Sequence, residues 1–161
     1  MKAPIRTGVA LVATLLLSAS AWAAAGHSGQ GHDNSFSAGE PGDPKKPARI
    51  VQITMEESEG KMLYSPAHLE IRKGDQIKFM LRNSGELDHE IVLATTGENL
   101  KHAEAMQKSP EMDHDDPNAR ELAPKKTDEM FWKFSKPGEF EYSCLIPGHR
   151  EAGMIGTIVV R

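Results

Sequence analysis

Polar and apolar positions alternate with a two-residue period through much of the chain from Arg49 onward. Val51, Ile53 and Met55 alternate with polar neighbours over Arg49 to Glu56, which predicts a strand with one buried face. Glu57 to Lys61 is polar, contains Gly60 and reads as a turn, and Met62-Leu63-Tyr64 is a short extended piece ended by Ser65-Pro66. Leu69-Glu70-Ile71-Arg72 alternates again, Lys73-Gly74-Asp75 turns the chain, and Gln76 to Asn83 places Ile77, Phe79 and Leu81 on one face. A loop over Ser84 to Asp88 leads into the strand His89 to Leu93, with His89 at its start. Later, Met130 to Phe134 is aromatic and strand-forming, Lys136-Pro137-Gly138 is a turn, and Glu139 to Cys144 sets Phe140, Tyr142 and Cys144 on one side. Ile155 to Val160 closes the chain as a buried strand. About seven or eight short strands separated by turn residues predict an all-β fold, a Greek-key β-sandwich of two sheets.

The stretch from Gly97 to Ala123 has a different character and reads as an insertion between strands. Glu98 to Lys108 consists of helix formers, with Leu100, Ala103 and Met106 spaced for one face, and Ser109-Pro110 stops it. Glu111 to Asn118 is an acidic loop. Connections of this length inside a domain are usually functional or mobile.

Upstream of the strands the pattern changes twice. Lys2 and Arg6, the apolar run Gly8 to Leu17 and the small-x-small Ala21-Trp22-Ala23 are the parts of a secretory signal peptide, assigned to residues 1–23. An uncleaved anchor is the alternative, but the apolar run is short against the roughly 20 residues of a membrane span. No other segment is apolar for long enough, so no stable span is expected after cleavage. Residues 24–48 are rich in Gly, Ser, Pro and charge and read as a flexible leader, with order beginning near Arg49. The leader carries His27 and His32, which are either solvated residues or donors for a metal. The remaining residues 49–161 are enough for one domain with a single core.

Charge excludes one class of partner. The full chain has 19 Lys plus Arg and 23 Asp plus Glu, a net charge of −4. Loss of Lys2 and Arg6 with the signal peptide leaves 17 basic residues against the same 23 acids, a net charge of −6. Nucleic acid requires a basic footprint, so it is not an expected partner. A basic protein partner is compatible.

Export also changes the meaning of the single cysteine. Cys144 has no partner in its own chain, and a lone exported cysteine is a bridge to another chain, a reactive thiol, a buried inert thiol or a metal ligand. Its neighbours favour the last. His149 follows five residues on, and Met154 five further, in a connection between two predicted strands. Thiolate, imidazole and thioether are donors that copper prefers. Pro147 and Gly148 turn the loop so that His149 points back toward Cys144, and Gly153 is expected to relieve crowding before Met154. A second histidine must come from elsewhere. His89 stands at a loop–strand junction, whereas His68 and His102 have no matching neighbours.

These residues carry a resemblance to the cupredoxins, the small blue-copper proteins. It spans Arg49 to Arg161 and rests on Ser65-Pro66, Leu69-Glu70-Ile71-x-x-Gly74-Asp75, Phe79-x-x-x-Asn83, His89, and Lys136-Pro137-Gly138-Glu139-Phe140-x-Tyr142-x-Cys144-x-x-Pro147-Gly148-His149-x-x-x-x-Met154. The Pro-Gly-His resembles the azurin loop, and the longer interval before methionine is closer to auracyanin and rusticyanin. The resemblance implies one copper ion, Cu(II)/Cu(I), with His89, Cys144 and His149 as equatorial ligands and Met154 as the axial one. It departs at Glu90, where plastocyanins and azurins commonly carry an Asn that ties the ligand loops together. The insertion also bears Met106, Met112, Asp113, His114, Asp115 and Asp116, which form either a second, weaker metal site or a solvated acidic loop beside a helix with Met106 in the core.

The expected function is single-electron transfer in the periplasm, with a redox protein as partner and Leu145, Ile146 and Pro147 as an apolar docking patch beside His149. The alternative is a periplasmic copper-tolerance role, sequestering or oxidising excess copper and working with other copper-handling proteins. An enzyme is not expected: a copper oxidase needs further copper centres, the chain has no His-x-His, and a Met ligand suits copper rather than a zinc hydrolase.

Overall fold

Alternation of apolar residues folds into two five-stranded sheets packed face to face. The computed structural model describes residues 36–108 and 116–161. The signal peptide assigned to 1–23, together with His27, His32, Met112 and His114, lies outside the described residues. The elements in order are β1 (Glu40–Pro41), β2 (Arg49–Ser58), β3 (Lys61–Ser65), β4 (His68–Ile71), β5 (Gln76–Asn83), β6 (His89–Ala94), α1 (Thr96–Lys108), β7 (Ala119–Leu122), β8 (Thr127–Lys133), β9 (Gly138–Ser143) and β10 (Ile155–Val160). One sheet runs β1-β8-β5-β2-β3 and the other β4-β10-β9-β6-β7. Most neighbours are antiparallel, but β2 pairs with β5, and β10 with β4, in parallel. The fold is thus the β-sandwich with a helical insertion that the sequence pattern predicts.

The predicted inward faces form the core. Ile53, Met55, Ile77, Phe79, Leu81, Met130, Trp132, Phe134, Tyr142 and Ile158 are buried in one apolar cluster between the sheets. Each fully buried Leu, Ile, Phe or Met side chain contributes roughly 1.5–3 kcal/mol relative to exposure. Phe79 and Phe134 meet edge to face with centroids 6.3 Å apart, as do Tyr64 and Tyr142 at 5.0 Å.

Two strands are buried on both faces. All of β6 is buried, and in β9 Glu141 and Ser143 are as buried as Phe140 and Tyr142. The cause is α1, which covers the outer face of this sheet. Thr95 caps the helix: its backbone N–H donates to Glu98 Oε2 at 2.9 Å while Glu98 N–H reaches the Thr95 carbonyl at 3.1 Å. The face it buries carries Asn99, Ala103 and Met106, whereas Leu100 is half exposed. Spacing alone put Leu100 inward; the polar Asn99 displaces it because its side-chain amide donates to Val92 O at 3.3 Å and to Glu141 Oε1 at 3.1 Å. Met106 packs with Val92, Ala119 and Leu145 in a second apolar cluster. The insertion also contains a strand that the sequence reading missed. In β7, Ala119 and Leu122 are buried and pair with β6, Leu122 opposite His89. Four residues are too few for a legible period.

The chain makes core contacts well before Arg49. Ala38 is fully buried, Phe36 meets the Trp132 ring edge to face at 5.3 Å, and Trp132 donates its indole N–H to Ala38 O at 3.2 Å. Residues 36–41 are therefore a strap over the β8 edge, where the composition had suggested only flexible leader. Removing the chain up to Gly42 takes away the hydrogen bond to the Trp132 indole and the apolar cover of its ring, a loss of about 1–3 kcal/mol. The expected result is a lower urea midpoint at unchanged slope, equivalent to a stability loss of that size, and an unchanged midpoint would show the strap to be passive.

Candidate metal centre

The site lies at one end of the sandwich, where the β9–β10 connection faces the start of β6. Antiparallel pairing of β9 with β10 brings Ser143 opposite Ile155, so residues 144–154 close a narrow loop. Cys144 N–H donates to Met154 O at 3.2 Å, Met154 N–H to His149 O at 3.1 Å, and His149 N–H to Ile146 O at 3.0 Å. Gly148 has φ +90°, a conformation that side-chain-bearing residues rarely adopt. Gly153 has φ +104°, and a Cβ there would meet only Met62 O at an ordinary 3.6 Å, so backbone conformation rather than the expected crowding calls for glycine. Ala152 O accepts from Met62 N–H at 3.1 Å, tying the loop to β3.

Folding brings three of the four predicted residues together. One donor atom each from His89, Cys144 and His149 lies within 4.8 Å of the others, and all three residues are buried. His149 Nδ1 is 3.3 Å from Cys144 Sγ and 3.2 Å from His89 Nδ1. Donors bound about 2.0–2.3 Å from one ion stand roughly 3.3–3.8 Å apart, so these separations suit a shared small ion. Met154 is fully buried in the apolar core cluster at the end of the same loop, its backbone bonded to Cys144 and His149. One thiol, two imidazoles and a thioether form a soft to borderline donor set, which fits copper.

The surroundings hold these donors in place. Burial pushes the Cys144 thiol up to about 12; the backbone N–H groups of Glu90 and Ile146 pull against this, and the Glu90 carboxylate adds to it. Without a metal the sulfur therefore keeps its proton at neutral pH. Burial likewise lowers His149, as does His89, with Glu57, Asp88 and Glu151 opposing. A neutral imidazole has a lone pair to offer, as a metal ligand must.

Glu90 replaces the Asn of the resemblance and still joins the two ligand segments. Its Oε1 accepts from Leu145 N–H at 2.6 Å, and its carbonyl accepts from the buried Tyr64 hydroxyl. Leu145, expected in an exposed docking patch, is only 2% exposed because α1 covers it. Ile146 is partly buried and Pro147 exposed, so the patch beside His149 is smaller than the sequence suggested.

Glu57 is a site residue that the sequence reading missed. Its Oε1 lies 2.7 Å from His89 Nε2, and its carboxylate accepts from the N–H groups of Glu86 at 2.9 Å and Leu87 at 3.1 Å. Partial burial pushes its carboxyl up, but these amides and His89 outweigh that and hold it below the usual range. A signal existed: Glu57 continues the inward register of Val51, Ile53 and Met55, where an acid has no reason to sit unless it meets a partner.

Fold and donor set together define a cupredoxin, a β-sandwich with a buried cysteine–histidine metal centre. The model of the copper binding proteins of the plastocyanin/azurin family matches residues 51–161. The chain belongs to that family. It is 39% identical over 168 residues to the copper-resistant cuproprotein CopI of Rubrivivax gelatinosus, with 100% of both chains covered. It is 26% identical over 180 residues to the copper-resistant cuproprotein CopI of Pseudomonas aeruginosa, covering 94% of this chain and 96% of that one. In fold it is similar to auracyanin B, with TM-score 0.61 and 22% identity over 77% of this chain and 96% of auracyanin B. Copper is the family's cofactor, and the single His-Cys-His cluster found among the described residues corresponds to one ion.

Proposed function

We propose that this chain is an exported copper-tolerance protein that takes up copper at His89, Cys144, His149 and Met154. The observation that carries the reading is the buried cluster of two imidazoles and one thiol, which fits copper and shields it from bulk solvent. The full-length similarity to copper-resistant cuproproteins directs that chemistry toward tolerance. Copper bound there would supply one-electron exchange between Cu(II) and Cu(I). The chain's own residues do the rest. Glu90 clamps the Cys144 loop to β6, the amides of Glu90 and Ile146 stabilise the sulfur as thiolate, and α1 closes the outer face. Its partners are copper-handling or redox proteins of the periplasm, and the chain acts by binding and exchange rather than as an enzyme. No helix among the described residues is long and apolar enough to cross a membrane.

Electron transfer between proteins is the second reading. It is favoured by His149, 9% exposed and next to the exposed Pro147 and Gly148, which offers an electron a route between the centre and the surface. One comparison separates the two readings. Cells lacking the chain are expected to grow normally without added copper and to fail at copper concentrations that the parent tolerates. Equal tolerance of the two strains would overturn the tolerance role and leave electron transfer.

A further inference from the structure

His89 is the one predicted ligand supplied by the far side of the site, and something must orient its ring. A neutral imidazole carries its proton on one nitrogen and offers the other as a ligand. In this structure the two nitrogens face different worlds. Nδ1 points at His149 Nδ1, 3.2 Å away, inside the donor cluster. Nε2 points at the Glu57 carboxylate, 2.7 Å away. An ionised carboxylate only accepts hydrogen bonds, so the proton belongs on Nε2 and the lone pair on Nδ1.

Glu57 is itself held firmly. It lies on β2 in one sheet, whereas His89 begins β6 in the other, so the contact crosses the sandwich. The loop between β5 and β6 wraps the carboxylate with the N–H groups of Glu86 and Leu87. Gly85 leaves room for this wrap, since a Cβ there would meet the Glu57 carboxylate oxygens. The His89 side chain is fully buried and that of Glu57 24% exposed, so solvent screens the pair only in part.

We propose that Glu57 is a positioning residue of the copper centre: its carboxylate fixes His89 as the Nε2–H tautomer, turns Nδ1 toward the metal, and biases the bound ion toward Cu(II). The electrostatic argument is direct. A carboxylate accepting the far N–H of a ligand imidazole increases electron donation through the other nitrogen. The doubly charged ion gains more from this than the singly charged one. The inference rests on the copper centre proposed above, with His89 as a ligand.

The test measures the reduction potential of the copper-loaded chain and of Glu57→Gln, which retains an acceptor oxygen but loses the charge. A tenfold loss of preference for Cu(II) over Cu(I) raises the potential by about 59 mV for one electron, and a rise of at least this size is expected. Glu86→Gln removes a nearby charge that does not touch His89 and should move the potential far less. An unmoved potential in Glu57→Gln, or equal shifts in the two variants, overturns the proposal. Nitrogen-15 correlation spectra of the Cu(I)-loaded wild-type chain provide a reading that needs no variant. His89 should carry its proton on Nε2, and a proton on Nδ1 overturns the proposal. The two readings fail differently. A wild-type chain that takes up no copper refutes the centre and Glu57's role together, whereas a normal copper spectrum with an unmoved potential refutes Glu57's role alone.

Discussion

Cys144→Ser is expected to abolish the visible thiolate-to-copper(II) absorption and to weaken copper binding by more than the roughly 10–100-fold that loss of an outer hydrogen-bonding partner costs. The side chains differ by one atom and the fold should tolerate the exchange. Cys144 is fully buried within the apolar cluster, and a hydroxyl there is smaller than a thiol. The backbone N–H groups of Glu90 and Ile146 still have an oxygen to meet. What disappears is the soft anion. Serine does not ionise at neutral pH and offers copper only a hard, neutral oxygen, so the charge-transfer band has no donor orbital. Optical and EPR spectra of the copper-loaded variant, with the copper-to-protein ratio taken on the same sample, provide the check. Survival of the visible band would remove Cys144 from the site and end the ligand assignment with it.

Arg150→Met is expected to destabilise the fold by about 3 kcal/mol, at the lower edge of what removing one partner of a buried ion pair costs. Arg150 follows His149 in the ligand loop, yet its side chain turns away from the metal centre. Its guanidinium donates to Glu141 through Nη1 at 2.6 Å and Nη2 at 3.3 Å, and Nη1 also reaches Ser143 Oγ at 2.5 Å. The Arg and Glu side chains are 12% and 5% exposed. Glu141 further accepts from Thr96 Oγ1 at 2.9 Å and from Asn99 at 3.1 Å. One carboxylate thus anchors both the ligand loop and the start of α1. Without Arg150 the charge stays buried with only a hydroxyl and an amide for company. The double variant Glu141→Gln with Arg150→Met should recover on the order of 1 kcal/mol over the single one, because a neutral amide is cheaper to bury. Denaturant midpoints with unchanged slopes measure both values, and a single variant within about 0.5 kcal/mol of the parent, the ordinary range of surface substitutions, would show that solvent compensates the charge.

The Arg150–Glu141 pair also shows where reading along the chain stops. Glu141 falls at an outward position of an alternating strand, and an outward acid reads as solvated. The pair becomes visible only when α1 lies over that face. The same covering takes Leu145 from the expected docking patch, buries Val92 on the outer face of β6 and brings Asn99 inward in place of Leu100. Helix periodicity constrains which residues share a face, but two adjacent faces of one helix compete, and hydrogen bonds to Val92 and Glu141 decide between them. The strap at residues 36–41 escaped for a related reason. Its composition resembles a linker, and its order comes from Trp132, almost a hundred residues away.

The strands, the two-sheet class and the donor-rich loop from Cys144 to Met154 followed from the sequence, because period-two alternation and short spacings are local properties that need no knowledge of distant neighbours. His89 could be picked out by its place at a loop–strand junction. What only the tertiary structure decided is everything that depends on one sheet facing the other. It sets His89 Nδ1 against His149 and its Nε2 against Glu57, makes Glu90 the tie between the ligand segments, and puts α1 over the back of the site. These contacts join residues dozens of positions apart, and their partners are chosen by packing rather than by any pattern along the chain.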